Sequence, residues 1–369
     1  VQPDCNGVTD DGVVGDLDGD GWTACEGDCV EAANPDHPVP AYVNPGALEI
    51  LNNGMDDDCD PTTSDLVAPP LCSSGESLTG LTGLQLAQAM DLCQTADPLA
   101  PLPQRTWGLL GAELRLADGT SPDPVALALF QDVQTAVLTG FGANILPKQG
   151  ATLAALSTGV MRAPGMAGSA PPAPGTDLNH PGQPPAAFMA SHGGLLPASG
   201  GCNGACPSGA GAYDGVTLRL SVRVPSNAAS FSYRFLLLSA EYASLCSARN
   251  DTYLSLLQSG ALGIPADLNV ALDALGNLLS INNLFFDACT PAGCSICPNG
   301  AGSLLGTGFE AGGGTQWLQA DGPVVFGENI TLDLTVFDVS DGWGDTVVLH
   351  DAFRFNEACP PGGCIFPFP

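Results

Sequence analysis

A mainly β fold is what this sequence predicts: an antiparallel β-sandwich or jelly roll with one or two short helices, preceded by a small loop-rich acidic module. Three observations carry that prediction. From Val216 onward, short stretches alternate apolar and polar residues between turn residues, the pattern of strands with one buried face. Glycine (47) and proline (32) are abundant, which disfavours long helices. Residues 1–65 hold sixteen of the 39 acidic residues and no Lys or Arg, so they form a unit of different composition from the rest.

The acidic unit comes first. Asp16-Leu17-Asp18-Gly19-Asp20-Gly21-Trp22 places carboxylates at positions 1, 3 and 5, a glycine at 6 for a sharp turn, and the Trp22 carbonyl at 7. That is the first half of an EF-hand-type calcium loop. Position 12 is Gly27, so the closing acid is expected from Glu26 or Asp28, or from the later run Asp56-Asp57-Asp58-Cys59-Asp60. Without a cation the repulsion among these acids is severe. The alternative, a solvated and disordered acidic leader, fits poorly with the placed glycines and cysteines.

Pro61 to Pro70 has linker composition, and the chain divides into a module over 1–65, a linker over 66–71, a larger domain over 72–356 and a tail over 357–369. Leu81, Leu84, Leu86, Ala89, Met90 and Cys93 share one helical face, predicting a helix over 81–95 that stops at Asp97-Pro98. Trp107–Leu116 reads as a strand, and Pro124–Leu138 is apolar without a decisive period. Pro164–Gly211 reads as long surface loops, whose length suggests that they cover a partner. Val216–Val224 and Ser230–Leu238 are expected to pair around the turn at Pro225-Ser226-Asn227. Further strands are expected at Leu268–Leu272, Leu278–Phe286, Gly322–Phe326, Ile330–Val339 and Thr346–Phe355.

Asp16-to-Trp22, Gly27-Asp28-Cys29, Asn44-Pro45-Gly46-Ala47 with Glu49, and Asn53-to-Asp60 occur in one order. Over residues 14–63 this resembles the MopE-like metal-binding repeat of secreted bacterial proteins. Asp36-to-Val43 departs as an insertion, and Leu51 stands where many members carry a cysteine. Downstream, Tyr213-Asp-Gly-Val216, Val224-Pro-Ser-Asn-Ala228, Ser239-Ala-Glu-Tyr242, Cys246-to-Asp251, Gly306-Thr-Gly-Phe309, Phe337-to-Thr346 and Asp351-Ala-Phe-Arg-Phe355 occur in sequence. Over residues 72–356 that order is similar to choice-of-anchor L domains of bacterial surface and secreted proteins. The resemblance implies a location and no reaction. Ala240-Glu241 replaces the two acids that often precede the tyrosine.

The loops of the larger domain offer a second candidate calcium site, formed by Glu241, Asp251, Asp338, Asp341 and Asp345 with Asn250, if they share one end of the sandwich. Asp and Asn also cap turns, which is the plain alternative. The fourteen cysteines are Cys5, Cys25, Cys29, Cys59, Cys72, Cys93, Cys202, Cys206, Cys246, Cys289, Cys294, Cys297, Cys359 and Cys364. An even count in a chain with one lysine points to an oxidising compartment, and seven disulfides are expected, with Cys29–Cys59 and Cys72–Cys93 foremost and Cys359–Cys364 in the tail. Zinc is the weaker reading of Cys202, Cys206, Cys289, Cys294 and Cys297, because no matched Cys-x-x-Cys pair accompanies them. His37, His180, His192 and His350 carry no motif and read as loop histidines.

A formal charge of −30 excludes nucleic acid and anionic membrane surfaces as partners. No run of eighteen apolar residues suits a membrane span, and Val1 follows no visible signal sequence, so a processed, exported chain is expected. No nucleophile elbow, phosphate loop or glycosidase carboxylate pair is recognisable, so no enzyme activity is expected. The leading expectation is a calcium-stabilised structural protein, a subunit of a surface fibre or filament. Ile365, Phe366 and Phe368 in the apolar tail are expected to dock on a neighbouring copy. The alternatives are a monomeric adhesin or carbohydrate-binding module with a glycan ligand, and a secreted hydrolase.

Overall fold

The computed structural model describes residues 15–72, 75–101, 104–197, 200–201, 204–244, 246–272, 276–282, 286–291 and 297–360. Fourteen strands follow in chain order: β1 Gly108–Leu116, β2 Thr135–Leu138, β3 Leu153–Ser157, β4 Pro181–Gly182, β5 Gly200–Gly201, β6 Gly204–Ala205, β7 Ala212–Arg223, β8 Ser230–Ser239, β9 Thr252–Gln258, β10 Ala288–Cys289, β11 Gly313–Gly314, β12 Leu318–Pro323, β13 Asn329–Val339 and β14 Thr346–Asn356. Short helices are α1 Gly83–Ala89, α2 Pro124–Leu129 and α3 Ala186–Ser191.

Two antiparallel sheets hold twelve of these strands. One runs β1-β7-β13-β9 with β4 beside β7, and the other runs β10-β11-β8-β14-β3-β2 with β12 beside β8. Their inner faces meet as a sandwich: Leu218, Leu220, Leu332 and Leu334 from one sheet pack with Phe231, Tyr233, Phe235 and Val348 from the other. Burying this face supplies most of the driving force for the fold. The strands read from Ile330–Val339 and Thr346–Phe355 are β13 and β14, almost to the residue.

Both outer faces are also partly covered, which explains where the alternation fails. Leu236, Leu238, Val347 and Leu349 point outward and pack under Phe141, Ile145, Leu304 and Phe309. On the other sheet Leu254, Leu256 and Phe337 pack under Phe188 and Leu196. Within the segment 164–211, α3 and Leu196 thus cover the chain's own sheet.

Several expectations change. β7 and β8 do not pair with one another: β7 lies between β1 and β13, whereas β8 lies in the opposite sheet beside β14 and β12. The connection 224–229 is therefore an arch that crosses the sandwich, and both strands still bury one face, which is why their patterns resembled a hairpin. The helix expected over 81–95 ends at Ala89, because Asp91 takes a left-handed backbone (φ 68°). Its start is fixed by a capping box in which Thr82 and Gln85 hold one another's backbone N–H groups. Pro124–Leu138 is both helix and strand, α2 continuing through a π-helical turn at Phe130–Gln134 into β2. Among their described residues, Leu268–Leu272 and Leu278–Phe286 contribute only isolated bridges, and the strand expected at Gly322–Phe326 begins earlier, at Leu318.

The acidic module folds against the arch. Asn227 accepts from the Leu48 N–H and donates its amide back to the Leu48 carbonyl, both at 2.8 Å. Ser226 donates its N–H to the Gly46 carbonyl (3.0 Å) and its hydroxyl to Asn44 Oδ1 (2.6 Å). Tyr42, from the inserted segment, packs on Phe326 with ring centroids 5.2 Å apart.

Candidate metal centre

The module has too little apolar surface to hold itself. Trp22, Val43 and Ala47 are its buried apolar residues among those described, and the Trp22 ring lies so close to Gly46 that a Cβ there would sit 2.5 Å from it. A disulfide between Cys29 and Cys59 closes the module around this small core.

The acidic loop has the shape its spacing predicts. Gly19 and Gly21 take left-handed backbone (φ 83° and 97°), and the turn is pinned by N–H donation from Gly19 and Gly21 to Asp16 and from Trp22 to Asp20. Oxygens of Asp16, Asp18 and Asp20 lie within 4.8 Å of one another, and oxygens of Asp18, Asp28 and Glu31 do the same. Asp18 belongs to both groups. Glu31 reaches across the loop to accept from the Leu17 and Ala24 N–H groups.

Closure of the loop therefore differs from the expectation in one respect. Glu26 turns to the Thr23 hydroxyl (2.9 Å), while Asp28 and Glu31 take the closing place. The later run does not supply it: Asp56 and Asp58 converge instead with Glu49 in a third group. Asp57, next to them, is buried and takes N–H groups of Ile50 and Asn53, and Asp60 holds its own turn through Thr62. Trp22 fills the core, and its side-chain contribution to the loop was not legible from the carbonyl role assigned to it.

Burial bears on these carboxyls. Asp28 is only 5% exposed, and its Oδ2, like Oδ2 of Asp18 and Asp20, is buried without a hydrogen-bond partner. Burial, and after it the neighbouring carboxylates, pushes Asp20 up to about 7 and Asp28 up to about 6. Three orphaned oxygens, on acids of two convergent groups that share Asp18, in a chain with a −30 charge, fit a hard cation with oxygen ligands.

At the far end of the sandwich the structure also gathers the second set of acids. Asp251 sits in the middle, accepting from the Val339 N–H (3.2 Å) and the Thr346 hydroxyl (2.5 Å), with Glu241 and Asp338 against it. Burial, then like charge, pushes Glu241 up to about 10 and Asp338 well above the usual range. Glu241 Oε2 and both Asp338 oxygens are buried without a hydrogen-bond partner. These acids are not among the described groups whose oxygens converge. Asp341 is engaged by Arg249 at 2.6 Å, and Asp345 accepts from the Thr176 N–H at 2.8 Å. Asn250 turns to the Asn282 N–H.

Disulfides join Cys72 to Cys93, Cys206 to Cys246 and Cys289 to Cys297, and Cys25 and Cys359 are also disulfide-bonded. No described cysteine is free, which removes Cys206, Cys289 and Cys297 as zinc ligands. Cys5, Cys202, Cys294 and Cys364, with Ile365, Phe366 and Phe368, lie outside the described residues. His350, expected on a loop, is fully buried in β14; it meets the Tyr253 hydroxyl at 3.1 Å, and burial lowers its ring to about 3. Among the described residues no helix is long and apolar enough to cross a membrane. No family model, curated protein or solved structure matches the chain.

Proposed function

We propose that this chain is an extracellular structural protein whose N-terminal module folds around calcium and whose copies associate into a fibre or filament. The four described disulfides fit an extracellular, disulfide-bonded protein. The observation that carries the calcium reading is the pair of carboxylate groups sharing Asp18, with orphaned oxygens on Asp18, Asp20 and Asp28. Asp16, Asp18, Asp20, Asp28 and Glu31 would hold the ion, and Glu49, Asp56 and Asp58 a second one. Calcium suits them better than magnesium, whose smaller octahedral shell demands closer, stricter geometry. The order of short motifs over 14–63 and 72–356 supports the same extracellular setting.

Titration calorimetry of the calcium-free protein tests the metal reading. Saturable calcium binding that Asp28→Asn weakens by at least about tenfold is expected, because a buried ligand charge is lost. Unchanged protease resistance of residues 15–65 in EDTA would overturn it. Assembly is tested separately by the size of the protein in calcium: polymers that vanish when residues 359–369 are deleted are expected. Polymers that survive the deletion, or a chain that stays monomeric at high concentration, would overturn that half.

A further inference from the structure

The outer face of the seven-stranded sheet changes character halfway along β8. Leu236 and Leu238 lie under the apolar cover, but Ser232 and Arg234, on the same face, extend beyond it. Gln319 pairs opposite Arg234 on β12, and Arg354 pairs opposite Ser232 on β14. A bulge between Asp351 and Arg354, where Ala352 has φ 54°, re-aims the end of β14. The loops carrying Lys148 and Trp317 wall this uncovered half into a recess of about 520 Å³. A second recess of about 210 Å³ shares Lys148, Gln316 and Trp317 with it and continues past Asn144, Ser303 and Thr315. Trp317 thus stands between two compartments, partly exposed, with Lys148 Nζ 6.0 Å from its ring.

Charge makes this place unlike the rest of the surface. The chain has only nine Lys and Arg residues, and three of them, Lys148, Arg234 and Arg354, line the larger recess. Arg115, Arg219 and Arg249 are consumed in ion pairs with Glu113, Asp333 and Asp341. Arg162 and Arg223 donate to main-chain carbonyls. Among the described residues, none of the three recess cations is ion-paired. Two carboxyls lie near them and are otherwise engaged: Asp321 takes the Gln319 amide at 2.9 and 3.1 Å, and Asp351 takes the N–H groups of Lys148, Gln149 and Ala352.

We propose that this recess binds an acidic saccharide, a chain containing uronic acid. The guanidinium groups of Arg234 and Arg354 receive the sugar carboxylate, as planar forks suited to it. Trp317 offers an apolar face to a pyranose ring, and Gln149 and Gln316 offer amides to its hydroxyls. An acidic peptide, such as the module of a second copy, has the charge but not the fit. The floor is the face of β8, whose two edges are already paired with β12 and β14, so the floor strand offers no free edge to a peptide backbone. The site lies in the sandwich and does not depend on calcium in the module.

Titration calorimetry of the full chain, in calcium and again in EDTA, with oligogalacturonate and with a neutral galactose oligomer of equal length, tests this. The uronate is expected to bind at least about tenfold more tightly than the neutral oligomer in both buffers. Arg354→Gln and Trp317→Ala should each abolish measurable binding, while Arg354→Lys retains part of it; thermal melts confirm that each variant folds. Lys148→Gln, on an exposed loop, provides a further variant and should weaken binding about threefold or more. Failure to bind any uronate, equal binding of the neutral oligomer, or an Arg354→Gln protein that folds and binds unchanged would overturn the proposal. So would self-association, or binding of an acidic peptide spanning 15–65, that displaces or replaces the uronate at the same residues.

Discussion

Residues 15–65 and the two-sheet domain stay folded by opposite means. The module buries three apolar side chains among its described residues and surrounds them with carboxylates, several of them orphaned. The sandwich fills the space between its sheets with leucines, valines and aromatic rings, and it buries Glu241, Asp251, Asp338 and Asp345 at one end of the strands. A core of the second kind is stable by itself, whereas in the function proposed above the first kind is completed by a bound cation. The comparison can be broken at four points.

The largest effect should come from removing calcium. In EDTA, limited proteolysis should cut within 15–65 while leaving 108–356 intact, and Glu31→Gln should reproduce that pattern at calcium levels that protect the parent chain. Equal susceptibility of both regions would erase the distinction. Next in size is the core itself: Phe235, fully buried between the sheets, should cost about 3–5 kcal/mol when replaced by Ala. Denaturant unfolding measures it, and calcium affinity should not change. A calcium affinity that falls with Phe235→Ala would show that the two regions are one cooperative unit.

Smaller is the contact that joins them. Asn227→Ala removes both hydrogen bonds to Leu48 and should cost about 1–3 kcal/mol. Its signature is a sandwich melting temperature that no longer responds to calcium, read by calorimetry. The smallest effect is a slope with pH in EDTA. Burial pushes Asp251 up to about 6 and Asp345 up to about 7, so the folded chain holds these protons more tightly than the unfolded chain, whose aspartates titrate near 3.8. Their stabilisation is full below about pH 4 and is lost as pH rises through 6 to 7. Melting temperatures between pH 4 and 8 should fall in that order; a rise would mean that these acids are ionised at low pH.

What the sequence disclosed depended on whether a strand has one covered face or two. β13 was legible because Ile330, Leu332, Leu334 and Val336 alternate with polar residues; β14, whose first six residues are all buried, alternates only near its end, at Phe353 and Phe355. β3 and β9 were missed because every residue of Leu153–Ser157, and all but the last of Thr252–Gln258, is buried, so no alternation marks them. The Asp16–Trp22 loop was legible by spacing, but Glu31 was not, since it lies outside the twelve positions of the loop that spacing describes. Glu49 stood in a quoted motif without a role. Lys148, Arg234 and Arg354 are spread over two hundred residues, and only the pairing of β8, β12 and β14 brings them together.

The arch at 224–229 has a mechanical meaning. Like the segment 340–345 between β13 and β14, it runs directly from a central strand of one sheet to a central strand of the other, and it is the one the module grips, through Ser226 and Asn227. Tension applied to the module therefore enters both sheets together. β7 is bonded to β1 and β13, and β8 to β12 and β14, so the load is spread in shear over ladders on four sides instead of peeling one edge strand at a time.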